Sequence, residues 1–209
     1  MYSILTSIFC VLLTFLIWCW GFRVIDAIKS NQYVQRRVSV FIFMVFNHYI
    51  IFRQLMQMEL PTMLRIVHGL FISFLLLMSL IDTYTCCISN HHLIICLILA
   101  LLQRWLNPLT QNHFFLLVCV VPLTLIGLRH KEYLGFGDVI LLIICATYLN
   151  VLSFYITLAI AVISASCVSI LLIVMGRRSL QDAIPFVPFI TFGFVMTLLF
   201  DAPIWFGFP

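Results

Sequence analysis

From Val151 to Met175 the chain runs without one charged side chain, and shorter stretches of the same kind recur along its length. Such a run belongs in hydrocarbon, where a helix is the structure that satisfies its own backbone. The rest of the chain cannot build a soluble shell around it. Only 9% of the residues are charged and 64% are hydrophobic, too few polar groups to cover a globular surface. The expected fold class is therefore all-α, a polytopic transmembrane helix bundle of about eight spans. The apolar runs place the spans near Ser3–Phe22, Val38–Phe52, Ile66–Ile81, Leu93–Leu106, His113–Leu128, Val139–Leu149, Val151–Met175 and Ile184–Trp205. The division at Asn150 sets the direction of everything after it.

The basic residues orient this bundle. Arg23, Lys29, Arg36, Arg37, Arg129, Lys131, Arg177 and Arg178 fall on one side of the eight spans, against Arg53, Arg65 and Arg104 on the other. Basic segments stay in the cytoplasm, so the N-terminus is expected in the periplasm. The net charge of +4 is thus a topology signal, and nucleic acid is not an expected partner. Ile4–Trp20 lacks a basic flank before it and a small-residue cleavage site after it, and reads as a retained first helix. Cys10, Cys19, Cys96, Cys119, Cys145 and Cys167 lie inside apolar runs and read as small buried hydrophobes. Cys86 and Cys87 are adjacent, and with no CxxC pair anywhere the pattern offers no zinc site.

Seven acids remain to be explained. Glu59 and Asp201 fall on the outer face, and Asp26, Glu132 and Asp182 sit in basic cytoplasmic segments where solvated pairing is the ordinary role. Asp82 and Asp138 differ, because each abuts an apolar run and neither has a Lys or Arg within five positions. Both fall on the cytoplasmic side. Asp138 suits the N-cap of a helix starting at Val139. Asp82 follows a helix C-terminus, where the macrodipole opposes a negative charge. An ionisable group at the edge of lipid is costly enough to suggest a function.

Two carboxylates at close range cannot both ionise cheaply, so they share a proton. The ionised member takes a proton from a water attacking a peptide carbonyl, and the protonated member donates to the developing oxyanion. The helix-end positions assign the higher pKa to Asp82 and the lower to Asp138. Gly135 and Gly137, flanking Phe136 before Asp138, let backbone or substrate approach closely. A different class of function fits the same acids: a non-enzymatic membrane component or small transporter, with Asp82 and Asp138 as a cation or proton path. That reading calls for carboxylates near the midplane and for internal repeats, and no convincing repeat is present.

Three stretches resemble the type IV prepilin peptidases, membrane aspartic proteases of the GxGD class. "GFGDVILL" at Gly135–Leu142 resembles the second aspartate motif of that family, with Ile140 where Lys is common. "IDTYTCCISN" at Ile81–Asn90 resembles the first, with Ser89–Asn90 in place of Pro-Asp or Pro-Asn. "AIPFVPFITFG" at Ala183–Gly193 is similar to the segment IPFGPFLALG and is the most specific of the three. Presenilin-like proteases share GxGD but usually show Tyr-Asp and Pro-Ala-Leu, which this chain lacks. The resemblance covers roughly 66–193, making residues 1–209 a single membrane-embedded peptidase domain with divergent helices over 1–65.

It implies a catalytic dyad of Asp82 and Asp138, supported by Gly135, Gly137, Asn90, Pro185 and Pro188. By residue chemistry Asn90 is more readily a turn or cap residue, while Pro185 suits a first helical turn and Pro188 loosens the start of the last span. The implied substrate is a prepilin or pseudopilin with a short basic leader, cut after a glycine at the cytoplasmic face of a bacterial inner membrane. Pilus assembly or type II secretion would use the product. Asp26, Glu132 and Asp182 are candidates to attract the leader. Many members carry a four-cysteine zinc segment after the first helix; here Arg23–Arg37 takes its place and holds no cysteine. No cofactor is therefore expected. S-adenosylmethionine would enter only with an N-methyltransferase activity that the family links to that N-terminal region.

Overall fold

A computed structural model describes residues 61–107, 121, 122, 124, 125, 129, 135–176, 179 and 184–200. Their regular structure is helical throughout: α1 Thr62–Thr85, α2 Asn90–Leu106, α3 Phe136–Tyr148, α4 Val151–Val174 and α5 Val187–Phe200. The expected spans before residue 61 lie outside the described residues, as does most of the one between 113 and 128. So do Asp26, Glu132, Asp182 and the paired Arg177 and Arg178. α1 and α4, 24 residues each, are long and apolar enough to cross a membrane. At about 1.5 Å per residue each extends roughly 36 Å, against a hydrocarbon core of about 30 Å.

The described residues fall into two compact units, divided between Leu77 and Met78 within α1. In the first, Phe71 and Leu75 are fully buried. The second holds the end of α1 and the four later helices.

Three of the boundaries that differ from the sequence expectation bear on the acids and prolines, each for a local reason. α1 runs on through Asp82 to Thr85, because the Thr83 and Thr85 hydroxyls donate back to the Ser79 and Ile81 carbonyls at 2.7 and 2.8 Å. α3 starts at Phe136, with Gly135 rather than Asp138 at its N-cap. α5 starts at Val187, so Pro185 precedes the helix and Pro188 is its second residue. Proline at that position loses an N–H with no helical partner to find. Phe189 and Ile190 still donate to the Phe186 carbonyl at 3.0 and 3.2 Å, so the helix start is not loosened.

The division at Asn150 holds. α3 ends at Tyr148, and Asn150 caps α4 by accepting the Ser153 N–H at 2.8 Å. α4 then packs along α5. Gly193 makes this possible, since a Cβ there would collide with the Thr157 carbonyl oxygen and lie 3.2 Å from the Ala161 nitrogen. One turn on, the Thr157 and Thr197 hydroxyls share a buried 2.9 Å hydrogen bond, and Phe194 meets Tyr148 edge-on at 5.5 Å. Small residues and hydroxyl pairs are the means by which helices approach closely in lipid. Cys96 and Cys145 are buried as expected, whereas Cys167 is exposed. It lies in the C-terminal half of α4, where Ile163, Val168, Ile170 and Val174 are exposed as well, a surface suited to acyl chains.

Gly193→Ala should lower stability by about 1–3 kcal/mol through overpacking, with a smaller loss for Thr197→Val. Thermal unfolding in detergent measures both.

Candidate active site

Asp82 stands in the last turn of α1 and is 4% exposed. A carboxylate there faces the negative end of its own helix dipole. The compensation comes from far along the chain: the Val187 N–H, first in α5, donates to Asp82 Oδ2 at 3.1 Å. The Phe186 amide faces the same carboxylate. The start of one helix thus answers the end of another, and the double-proline segment delivers the donor.

After Asp82 the chain must turn sharply. The Cys86 N–H closes on the Asp82 carbonyl at 2.8 Å, and Cys86 takes a left-handed φ of 50°. This conformation ends many helices, usually with glycine, and costs a side-chain-bearing residue roughly 1 kcal/mol. It carries Ile88 to the first turn of α3. There a Cβ on Gly137 would lie 3.0 Å from Ile88 Cδ1 and 3.2 Å from its Cβ. Gly137 is therefore the gap into which the loop between α1 and α2 fits.

Gly135 has a different task. Asp138 is the third residue of α3, and its carboxylate folds back to accept the Gly135 N–H. A Cβ on Gly135 would sit 2.9 Å from Asp138 Oδ2. This is half of a capping box, built from the third position instead of from the cap itself. Asp138 so assists the helix start, as its position suggests, without being the N-cap residue.

Asp82, Asn90, Gly135, Gly137 and Asp138 all line one cavity of about 690 Å³. The two aspartates, far apart in sequence, come within electrostatic reach of one another. Asp138 is partly accessible and lies just ahead of the apolar stretch of its helix. Its pKa is pushed up to about 6, first by burial and then by the charge of Asp82, with the Gly135 amide opposing. Helix-end position alone leaves burial and the neighbouring charge out of account at Asp138. Desolvation and a like charge outweigh the dipole and the Gly135 amide at Asp138, while Asp82, buried as well, accepts the Val187 amide. Asn90, the first residue of α2, is exposed at the cavity edge; Ser89 precedes it as N-cap. Pro188 places no N–H in the first turn of α5, and Pro185 lies outside the cavity lining.

Sequence reasoning missed Cys86, Cys87, Ile88, Leu93, Ile94, Leu97 and Ile144 as parts of this cavity. The spacing Asn90, Leu93, Ile94, Leu97 marks one face of a helix, but on a helix apolar all round that spacing does not stand out. The Val187 amide is a backbone group and leaves no trace in the side-chain pattern. Among the described residues, no group of three or more metal-binding side chains is gathered.

Asp138→Asn should stabilise the protein above pH 6. The native Asp138 holds its proton up to about pH 6, whereas the unfolded one releases it near 3.8. Between these values the native state binds more protons, so wild-type stability falls as pH rises through the window. The variant lacks that penalty. It should be about 1–3 kcal/mol more stable than wild type at pH 8, allowing for partial solvent access, and equal to it below about pH 4. Thermal unfolding in detergent across this range is the measurement.

Comparison with curated proteins and with solved structures returned no match. Residues 69–175, half of the chain, match the sequence profile of the type IV leader peptidases, a stretch that takes in Asp82, the GxGD motif and the cavity between them. With the two aspartates in one cavity and the profile spanning both, the chain belongs to the type IV leader peptidase family.

Proposed function

We propose that the protein is a prepilin leader peptidase, an intramembrane aspartic endopeptidase with Asp82 and Asp138 as its catalytic dyad. The observation that carries this reading is the shared cavity, in which a buried Asp82 held by a backbone amide faces a proton-retaining Asp138. Asp82, as the anion, takes a proton from a water while the water oxygen bonds to the scissile carbonyl carbon. Asp138 gives its proton to the carbonyl oxygen, so no full oxyanion forms. The tetrahedral intermediate then collapses. Its hydroxyl proton returns to a carboxylate, the C–N bond breaks, and the proton on the other carboxyl passes to the leaving amine. Every proton is accounted for, and the pair titrates as a unit.

The substrate in this reading is a prepilin or pseudopilin whose short basic leader is cut after a glycine. A basic leader remains in the cytoplasm while the apolar segment behind it enters the membrane. The cut bond therefore arrives at the inner face, where an eight-span bundle with a periplasmic N-terminus puts the dyad. Gly135, Gly137 and Asn90 shape the cavity, and Pro185 and Pro188 frame the Val187 donor. The chemistry calls on neither zinc nor another cofactor, and methylation of the product is not part of the proposal.

A tagged precursor co-expressed with wild type should be processed. Asp82→Asn and Asp138→Asn should each lower the rate at least about a hundredfold, because an amide keeps the shape but relays no proton. Normal processing by either variant would remove that residue from the chemistry. Val187→Pro deletes the donor to Asp82 at a position where proline suits a helix start. It should cost roughly tenfold to a hundredfold in kcat/KM with the fold retained, the usual worth of a hydrogen bond to a charged group.

A further inference from the structure

The cavity continues well beyond the aspartates, and its remaining walls have one character. Past Asn90 and Asp138 it is lined by Leu93, Ile94 and Leu97 from α2 and by Ile140 and Ile144 from α3. α2 and α3 lie side by side. Ile88 rests against Gly137, and Cys96 lies within electrostatic reach of Cys145. These two pairs share one offset, so the helices run parallel with both N-termini at the dyad. On this side of the carboxylates the groove follows two apolar stripes, one on each helix. It is open: Ile94 is 54% and Leu97 39% exposed.

Its length sets what fits. From Asp138 to Ile144 is six residues of helix, about 9 Å at roughly 1.5 Å per residue. An extended peptide advances about 3.3 Å per residue, so the groove takes about three residues. A helix would need about six residues to span the same length, and its carbonyls would be closed into hydrogen bonds four residues on instead of open to attack at the cut. Charge sets the direction of the bound chain. A basic leader is held in water, so the segment entering an apolar groove is the one that follows the cut. Ile140 matters most, as it lines the groove two residues after Asp138, where the resembling family commonly has Lys. With isoleucine there, the described lining offers an acidic side chain no cationic partner.

The geometry points to the α2–α3 groove as the binding site for the first three residues after the cut, which it takes in extended form and selects as apolar, with Ile140 setting the exclusion of acidic side chains. This rests on the peptidase reading. Acyl chains are the rival occupant, and they would leave the residues after the cut unselected.

The test uses the full-length wild-type protein in vesicles and leaves its folding untouched. The probe is a tagged precursor with a Lys-rich leader, a glycine, and a segment of about twenty apolar residues. Asp placed at the second residue after the glycine should lower kcat/KM at least about tenfold, and Asp at the sixth should lower it less than about twofold. Ile140→Lys should recover cleavage of the second-position Asp precursor at least about fivefold while slowing the parent, a reversal that general damage cannot produce. Equal cleavage of the two Asp precursors by wild type would overturn the groove assignment and leave the peptidase reading standing. Failure of wild type to cleave the parent would overturn the peptidase reading, and the groove assignment with it.

Discussion

A carboxylate at the C-terminal turn of an apolar helix is opposed twice, by the helix dipole and by the lack of water. Asp82 is in that position, and the 3.1 Å hydrogen bond from the Val187 amide relieves it. Much else depends on that contact. α5 must arrive with its N-terminus against the end of α1, so it must lie tightly on α4, and Gly193 with the Thr157–Thr197 pair provides the close packing. The double-proline segment is the device that starts α5 where its first amide is still free to donate outward.

The second aspartate is secured by different means. Asp138 is tied to its own helix start through the Gly135 amide, and the α1–α2 loop packs on the same turn through Gly137. The two glycines of GxGD therefore do separate work. One clears space for the carboxylate and the other for a neighbouring loop. Both acids are thus taken largely out of water, and each is met by a backbone amide, Val187 for Asp82 and Gly135 for Asp138.

Much of this was legible in the sequence because lipid leaves few options. Runs such as Val151–Met175 had to be helices, and acids without basic neighbours, Asp82 and Asp138, stood out against them. The turn at Asn150 was legible too, as a polar residue between two apolar runs. Three features were not. The proton preference within the pair depends on burial and on a donor from elsewhere, neither of which helix position reveals. The cap of α3 moved to Gly135 because Asp138 reaches back from inside the helix. The apolar groove stayed hidden because Leu93, Ile94 and Leu97 sit among leucines and isoleucines that differ from them only in what they face.

The contact between Val187 and Asp82 also bears on how such a protein is made. α5 is the last of the five helices to leave the ribosome, and until it docks, Asp82 lacks its donor. Docking of α5 and a negative charge on Asp82 therefore favour one another, the one supplying the donor that the other needs.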